Sequence, residues 1–280
     1  MKITTPAEAS SVPEFGLIIV GDEILSGKRA DKHMSKVIEL LGARGLTLSQ
    51  VQIVGDSPSR ITQLLELAFS TPGVYFSCGG IGATPDDHTR QCAAKALHHE
   101  LSLHPQAEEL IRQRMKDLAK EAGTEYIADH PDNIHRLNMG VFPTGAELIP
   151  NPYNKIPGFS CRGGSGVVHF VPGFPVMAWP MIEWVLDNKY KQFHQLSNTA
   201  ELSLIVYGAM EAALTPHMMG IEASFPGIKV FSLPSVDHPV HGKHIELGVK
   251  GSKPIVEEAY VALKQRMIDF GASIGPELVR

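Results

Sequence analysis

The 280-residue sequence lacks several features that would assign it to a class at once. It has three cysteines (Cys78, Cys92 and Cys161) and no Cys-x-x-Cys pair, so neither a zinc site nor a redox pair is indicated. It also lacks an apolar run long enough to cross a bilayer, and residues 1–13 lack the apolar middle of a signal peptide. These absences predict a cytoplasmic protein with buried, reduced thiols and a loose N-terminal tail.

An excess of charge of one sign is missing as well. The chain carries 25 basic and 30 acidic residues, a net charge of −5, which excludes bulk attraction to nucleic acid or to an anionic membrane. Hydrophobic residues make up 43% and charged residues 20%, as in ordinary globular proteins. We therefore expect a small-molecule ligand, held by local dipoles and a few charged groups, and no nucleic-acid or membrane partner.

The first part of the chain alternates short apolar runs with amphipathic segments. Strands are predicted at 15–20, 48–54 and 73–78, with helices at 34–41, 58–69 and 85–97 between and after them. This alternation predicts a parallel sheet with helical crossovers. Further on, the pattern predicts a helix at 106–121, a loop at 144–159 with a short strand at 147–149, a strand at 166–171, and a helix at 176–186 interrupted at Pro180.

A polar stretch without periodicity, 189–199, is interpreted as a linker. Beyond it, strands are predicted at 202–207, 228–233 and 244–249, and helices at 210–223 and 254–270. The second unit is thus predicted as a small β-α-β-β-α domain of the α+β class. The predicted domains are 14–188, with a three-layer α/β fold, and 200–275.

Three predicted strands in succession end in small or acidic residues. These ends are Gly21-Asp22-Glu23, Gly55-Asp56-Ser57 and the glycine-rich segment that begins at Gly79. In a parallel sheet such ends share one edge, and open α/β sheets bind ligands in the crevice there. The topology therefore predicts that Asp22, Glu23, Asp56, Asp86 and Asp87 lie near one another.

The glycine-rich segment, GGIGATPDDHT at 79–89, supports two interpretations. A glycine loop before a helix presents free N–H groups and the positive end of the helix dipole, which suits a phosphate. Alternatively, Thr84 is the N-cap, Pro85 the first helical residue and Asp87 the third, which makes a capping box without a ligand. The residue pattern alone leaves both open.

Carboxylates beside a phosphate cradle would repel the phosphate. A divalent cation removes the conflict, because Mg²⁺ prefers one or two carboxylates together with phosphate oxygens. We therefore expect Mg²⁺, Mn²⁺ or Co²⁺ to bridge the ligand phosphate to Asp87, with Asp56 as a second ligand. Two other phosphate motifs fail: GDEILSGK at 21–28 has five residues between its glycines and is followed by Arg29, and no G-x-G-x-x-G follows the first strand.

Together these segments resemble the molybdopterin-binding domain shared by MoaB/MogA-type proteins and by the N-terminal part of CinA-type competence/damage-inducible proteins. The resemblance rests on GDEILSG at 21–27, Asp31, VGDS at 54–57 and the segment at 79–89. PNPYNKIPGF at 150–159 and VPGFP at 171–175 are similar to the CinA branch specifically. The second unit resembles the small KH-type domain of that branch. No counterpart of its C-terminal amidohydrolase domain is apparent, so deamidation of nicotinamide mononucleotide is not implied.

The resemblance implies two activities at the same sheet edge. One is metal-dependent cleavage of a pyrophosphate bond in an ADP-ribose-like substrate; the other is binding or adenylylation of molybdopterin. It also implies that Asp56 and Asp87 are the catalytic or metal-binding acids. The residues expected to contact a nucleotide or pterin are Gly21, Asp22, Glu23, Asp31, Gly79, Gly80, Gly82, Thr84, Asp86, Thr89, Asn154, Pro157 and Gly158.

Some positions depart from the family pattern, which usually has Asn near His33, Pro at Ala83 and a Gly-Thr-Ala-Pro-Gly turn at 154–158. Lys155 replaces the threonine of that turn and is expected to add a charge near the ligand, so a non-catalytic ligand sensor is a third alternative. In the second unit, His238, His241 and His244 are interpreted as a solvated hairpin rather than a metal site, since no acid or thiol accompanies them. Trp179 and Trp184 are expected to be core or interface anchors, and a homo-oligomer is expected.

Overall fold

The computed structural model describes residues 12–194 and 199–279, which belong to two compact units with the first ending at His194. Residues 1–11 of the predicted tail and residues 195–198 of the predicted linker therefore lie outside the described residues. The linker prediction also starts too early, because residue 189 is still helical and a 3-10 turn covers Lys191–Phe193. Among the described residues, none of the helices combines the length and apolar composition needed to span a bilayer.

The first unit is a three-layer α/β structure, as predicted. Its strands are β1 (Phe15–Val20), β2 (Leu48–Val54), β3 (Gly73–Cys78), β4 (Leu101–Leu103), β5 (Val141–Pro143), β6 (Glu147–Ile149), β7 (Gly158–Arg162) and β8 (Gly166–Val171). Its helices are α1 (Asp22–Leu25), α2 (His33–Gly42), α3 (Pro58–Ser70), α4 (Thr89–Leu97), α5 (Pro105–Glu121), α6 (Pro131–Arg136) and α7 (Pro175–Lys189), with a 3-10 turn at Leu137–Gly140.

The main sheet has the strand order β2-β1-β3-β8-β7-β6. Strands β2, β1, β3 and β8 pair in parallel, whereas β7 and β6 are antiparallel additions at one edge. The sheet is therefore mixed and mostly parallel. Strands β4 and β5 form a separate antiparallel pair next to the excursion that carries α5 and α6.

Both faces of β1 are covered, which explains its continuous apolar sequence. Alternate side chains point to opposite faces of a strand. Phe15, Leu17 and Ile19 pack in one buried cluster with residues of α2 and α7, and Ile18 and Val20 pack in another with residues of α3 and α4. Strand β1 is therefore buried on both faces.

The prediction of an interruption at Pro180 is wrong, because α7 continues through it from 175 to 189. The residues that follow the proline, Met181 and Ile182, are fully buried against the sheet. Trp179 and Trp184 are half-buried and pack against the same core, as expected of core anchors. Packing of the apolar face thus outweighs the single hydrogen bond that a proline removes.

The second unit is α+β, as predicted, with one element more than expected. It contains β9 (Thr199–Tyr207), α8 (Glu211–Ser224), β10 (Lys229–His238), β11 (Gly242–Ser252), α9 (Lys253–Asp269) and β12 (Ser273–Val279). The antiparallel sheet has the order β10-β11-β9-β12. The unpredicted β12 pairs with β9 across an irregularity between Ile274 and Glu277, where Gly275 and Pro276 weaken the strand pattern.

Candidate functional site

The glycine loop leaves β3 at the edge where the parallel strands end. Gly79 and Gly80 have φ values of +106° and +67°, in the left-handed region that favours glycine. A Cβ atom on Gly79 would lie 2.3 Å from the Val20 carbonyl oxygen, and one on Gly80 would lie 2.2 Å from Thr89 Oγ1. The loop therefore passes too close to β1 and α4 for any other residue.

Three carbonyl groups of this loop point toward α4 and accept hydrogen bonds from Thr89 and Arg90. The Gly79 carbonyl accepts from Thr89 Oγ1 at 3.1 Å, and the Gly80 carbonyl accepts from the Thr89 N–H at 2.9 Å. The Gly82 carbonyl accepts from Arg90 Nη2 at 2.5 Å. In a planar trans peptide the following N–H points opposite to the carbonyl. The N–H groups of Gly80, Ile81 and Ala83 are thus directed away from α4.

These amide groups form a cluster of free donors. Within the described residues, no acceptor bonds the N–H groups of Gly80, Ile81, Gly82 or Ala83. The N–H of Gly79 is different, because it donates to the Val171 carbonyl at 3.1 Å. Of the three amides predicted to cradle phosphate, those of Gly80 and Gly82 remain available and that of Gly79 does not.

A cavity of about 420 Å³ opens in front of these amides. Its lining includes most of the predicted ligand contacts, namely Gly21, Glu23, Asp56, Gly79, Gly80, Gly82, Thr84, Asp86, Asp87, Asn154 and Pro157. Four predicted contacts do not line it: Asp22, Asp31, Thr89 and Gly158. We call this space the loop cavity.

The four residues outside the loop cavity have structural roles that explain their positions. Asp31 accepts from the N–H groups of His33 and Met34 and caps α2, whereas the fully buried Thr89 binds the glycine-loop carbonyls. A Cβ on Gly158 would lie 2.3 Å from the Phe170 carbonyl oxygen, so this glycine is needed for strand packing. Direct ligand contact by Asp22, Asp31, Thr89 and Gly158 stays a prediction.

Asp22 and Asp56 hold the ends of β1 and β2 together. The Asp22 N–H donates to Asp56 Oδ2 at 2.9 Å, and the Asp56 N–H donates to Asp22 Oδ1 at 3.1 Å. Burial raises the pKa of Asp56, and the charges of Asp22, Glu23 and Asp86 raise it further. The predicted convergence of acids is therefore confirmed for these four, and they repel one another.

The capping-box interpretation of Thr84-Pro85-Asp86-Asp87 places the start of the helix wrongly, but one of its two hydrogen bonds is present. Helix α4 begins at Thr89, not Pro85, and no side chain caps it. Asp87 Oδ2 nevertheless accepts from the Thr84 N–H at 2.8 Å and from Thr84 Oγ1 at 2.6 Å. Asp87 thus closes a turn that faces the loop cavity and retains Oδ1 as an acceptor.

The turn at 151–158 forms the opposite wall. Asn154 Oδ1 accepts from Asn151 Nδ2 at 2.8 Å and from the Ile156 N–H at 3.0 Å, which shapes the turn. Lys155 has a φ of +66° and its Nζ lies 2.6 Å from Asp117 Oδ2, outside the cavity lining. The expectation that Lys155 adds a charge near the ligand is therefore wrong.

Sequence reasoning missed the apolar part of the cavity wall. The side chains of Met139, Ile156, Phe174 and Met177 line it, and Phe174 is 57% exposed. An exposed aromatic ring beside a polar cluster offers a surface for a planar heterocycle. The signal was present in VPGFP at 171–175, which places Phe174 directly after β8 at the same sheet edge.

His33, one of the departures from the family pattern, lies beneath this wall. It is 5% exposed, and its Nε2 donates to the Gly173 carbonyl at 3.0 Å. Gly173 itself lines the loop cavity. His33 therefore supports the wall rather than contacting the ligand.

The described residues do not form a complete metal site by themselves. No group of three or more His, Cys, Asp or Glu side chains is arranged to hold a metal ion in the parts of the chain that the structure describes. Asp56 fits a cation, because its neighbours concentrate negative charge on it. Asp87 fits less fully, since one of its two oxygens already accepts two hydrogen bonds. Ligand phosphate oxygens would have to complete such a site.

Two other clusters singled out by the sequence lie elsewhere. Cys78, Cys92 and Cys161 are buried free thiols, as predicted. The rings of His238, His241 and His244 lie 5.0–5.6 Å apart at the β10–β11 hairpin, and His241 Nδ1 forms a hydrogen bond with Tyr207 Oη at 3.2 Å. His244 is only 7% exposed, so the prediction of a fully solvated triplet is wrong for this residue.

Comparison with known proteins assigns the first unit of the chain to a family. Residues 16–192 match the sequence profile of the probable molybdopterin binding domain, so the chain belongs to this family. In the crystal structure of CinA from Thermoplasma acidophilum, 98% of that chain aligns with 63% of this one at 24% identity and a TM-score of 0.53, which shows the shared fold.

Several relatives carry CinA names. A CinA-like protein of Geobacter metallireducens is 30% identical over 80% of this chain and 52% of its own length. A competence-damage inducible relative of Alkaliphilus metalliredigens is 32% identical over 60% of this chain and 38% of its own length. The chain thus spans about half or less of these relatives. A protein of Pyrobaculum calidifontis is 27% identical over 89% of this chain and 90% of its own.

Proposed function

We propose that the first unit binds a phosphate-bearing nucleotide or pterin in the loop cavity and cleaves a pyrophosphate bond in an ADP-ribose-like substrate with a divalent cation. The observation that carries the proposal is the set of free amides at 80–83. Those of Gly80, Ile81 and Ala83 are aimed away from α4 because Thr89 and Arg90 bind the carbonyls behind them. Such a cluster of amides binds an anion without requiring a lysine. This agrees with the absence of a P-loop motif.

The cavity has a polar wall and an apolar wall, which suit two different parts of the ligand. Phosphate groups would lie against the glycine-loop amides, and the ring would lie on Phe174 with Met139 and Met177 around it. A pyrophosphate between these walls would face Asp56 and Asp87. These two acids would hold Mg²⁺, Mn²⁺ or Co²⁺ together with phosphate oxygens, and the bound cation would make a coordinated water more acidic.

The acids of this chain have separate tasks in the proposal. Asp56 is oriented by the Asp22 N–H and faces the largest local negative charge, so it is assigned to cation binding. Asp87 is fixed by Thr84 and can orient a water through Oδ1. Excluding solvent from the pyrophosphate falls to the apolar wall.

A panel of substrates tests this assignment. The protein is incubated with ADP-ribose, with FAD, and with ATP plus molybdopterin, each with Mg²⁺, Mn²⁺, Co²⁺ or chelator, and the products are separated for AMP and adenylylated pterin. We expect AMP from ADP-ribose, dependent on the cation, and a loss of roughly 100-fold or more in Asp87→Asn. Asp129→Asn, an exposed acid outside the cavity, is the matched control.

A second function, molybdopterin binding, is favoured by the family to which the chain belongs. It uses the same amides and the same apolar wall. Pterin adenylylation without AMP release from ADP-ribose would select it, and tight pterin binding without turnover would identify a non-catalytic sensor. Either result would reject pyrophosphate hydrolysis while leaving the anion cradle in place.

A further inference from the structure

A second cleft lies on the other side of the glycine loop. It has a volume of about 300 Å³ and is lined by Thr84, Asp87, His88, Arg90, Asn138 and Val141, among others. We call it the Arg90 cleft. The Ala83–Asp87 region borders both this cleft and the loop cavity, so the two spaces share one wall.

Arg90 is the unusual residue here, because its charge is buried with few partners. The side chain is 4% exposed, and its one hydrogen bond to a described residue runs from Nη2 to the Gly82 carbonyl. Its Nε is buried without an acceptor, and no described carboxylate forms a salt bridge with the guanidinium. Burial lowers the pKa of Arg90, and the charge of Asp87 only partly opposes this. A buried charge of this kind is costly until an anion pairs with it.

The beginning of α4 adds further donors at the same place. No side chain of a described residue caps this nine-residue helix, and the Thr89 N–H is bonded to the Gly80 carbonyl. The N–H groups of Arg90 and Gln91 bond no acceptor among the described residues. Free first-turn amides together with the helix dipole favour an anion.

The charges that face the cleft select the sign of its ligand. Asp87 is the one acidic side chain in its lining, and Thr84 already donates two hydrogen bonds to Asp87 Oδ2. A cation would be repelled by the buried guanidinium, and an apolar ligand would leave that charge unpaired. A tetrahedral oxyanion matches both the planar fork of arginine and the amides of a helix start.

We propose that the Arg90 cleft is a second binding site, distinct from the loop cavity, for a phosphate-class oxyanion. The proposal does not rest on hydrolysis in the loop cavity, because it uses the amides of Arg90 and Gln91 rather than those of Gly80–Ala83. An anion in the Arg90 cleft would contact the Ala83–Asp87 region, which also lines the loop cavity and includes Asp87. Occupation of one site is therefore expected to change the affinity of the other.

Titration with inorganic phosphate, followed by amide NMR, tests the proposal on the full chain. We expect the N–H signals of Arg90 and Gln91 to shift along one binding curve and those of Gly80–Ala83 to follow a separate curve. Asn138→Asp places a like charge in the cleft at an exposed position and should weaken the first curve roughly tenfold. Gln63→Glu, an equal charge change on exposed α3, should leave both curves unchanged.

Crystals grown with tungstate, an electron-dense oxyanion, locate the site directly. Density beside the Arg90 guanidinium that is absent in Asn138→Asp supports the proposal. The proposal is overturned if the Arg90 and Gln91 signals do not respond to phosphate, or if Asn138→Asp binds as tightly as the wild type.

Discussion

The two units bring their polar side chains together by different routes. In the first unit, Asp22, Asp56 and the glycine loop come from separate strand ends that the parallel order β2-β1-β3 places at one edge. In the second unit, His238, His241 and His244 come from one hairpin, with Tyr207 from the neighbouring strand β9. A parallel sheet therefore joins residues that are distant in sequence, and an antiparallel hairpin joins residues that are already close.

The largest effect is expected from Gly80→Ala, which breaks the first arrangement at its centre. The new Cβ would meet Thr89 Oγ1 at 2.2 Å, and the φ of +67° is strained for alanine, so we expect a loss of about 2–4 kcal/mol in stability. Binding of phosphate-bearing ligands should fall roughly 100-fold, measured by calorimetry. Gly123→Ala has nearly the same φ, +68°, in open space, and should lose stability by only about 1 kcal/mol without losing ligand.

The buried His169 gives the stability of the first unit a dependence on pH. His169 bonds Ser160 Oγ and Tyr190 Oη, each at 2.7 Å, and burial holds its pKa well below the ordinary range. The unfolded chain then binds the extra proton, so stability is complete above about pH 6.5 and falls below it by about 1.4 kcal/mol per pH unit. Denaturant unfolding of the wild type and His169→Gln from pH 7.5 to 5 measures this; equal slopes would contradict it.

Removing one member of the acidic cluster sharpens the comparison further. Asp56→Asn keeps an oxygen for the Asp22 N–H and removes a carboxylate whose pKa is raised by burial and by Asp22, Glu23 and Asp86. A raised carboxyl pKa destabilises the fold at neutral pH, so the variant should gain a few tenths of a kcal/mol there and nothing below about pH 4. Thermal unfolding without divalent cations checks the sign, and a loss of stability at pH 7 would refute it.

The smallest effect is expected from Lys155→Met. Its ammonium pairs with Asp117 on a half-exposed surface, away from the cavity lining. Stability should fall by about 0.5 kcal/mol or less, and ligand affinity should change less than twofold. A larger loss of affinity would show that Lys155 does act on the ligand, although it does not line the loop cavity.

The sheet could be predicted well where burial on both faces dictates the sequence. The bounds predicted for β1, β2 and β3 agree with the structure. Strands β1 and β3 are buried apolar runs that end at a glycine where the chain leaves the core, whereas β2 is a mostly exposed edge strand whose end is marked by Gly55-Asp56. Strand β7 was missed, since Gly158 and Ser160 give it little strand character. Its formation depends on pairing with β8 at the sheet edge, which is information from another part of the chain.

The site could be predicted in its membership but not in its hydrogen bonds. The acids and glycines at the strand ends follow from topology, and most of them line the loop cavity. The start of α4 at Thr89 could not be predicted, because the Thr89 N–H is diverted to the Gly80 carbonyl. Likewise, the use of Gly79's N–H by Val171 depends on the parallel neighbour β8, which follows almost a hundred residues later.

The hydrogen bond between the Gly79 N–H and the Val171 carbonyl fixes the first half of the glycine loop but not its second half. The first half is anchored to the neighbouring strand and to Thr89. The Ala83–Asp87 half borders the loop cavity and the Arg90 cleft, and His135 Nε2 donates to its Ala83 carbonyl at 2.9 Å. We therefore expect any rearrangement on ligand binding to be larger in the Ala83–Asp87 half than in the first half. The amides of Gly80 and Ile81 would then already be in position when an anion binds, and Asp87 would adjust to it.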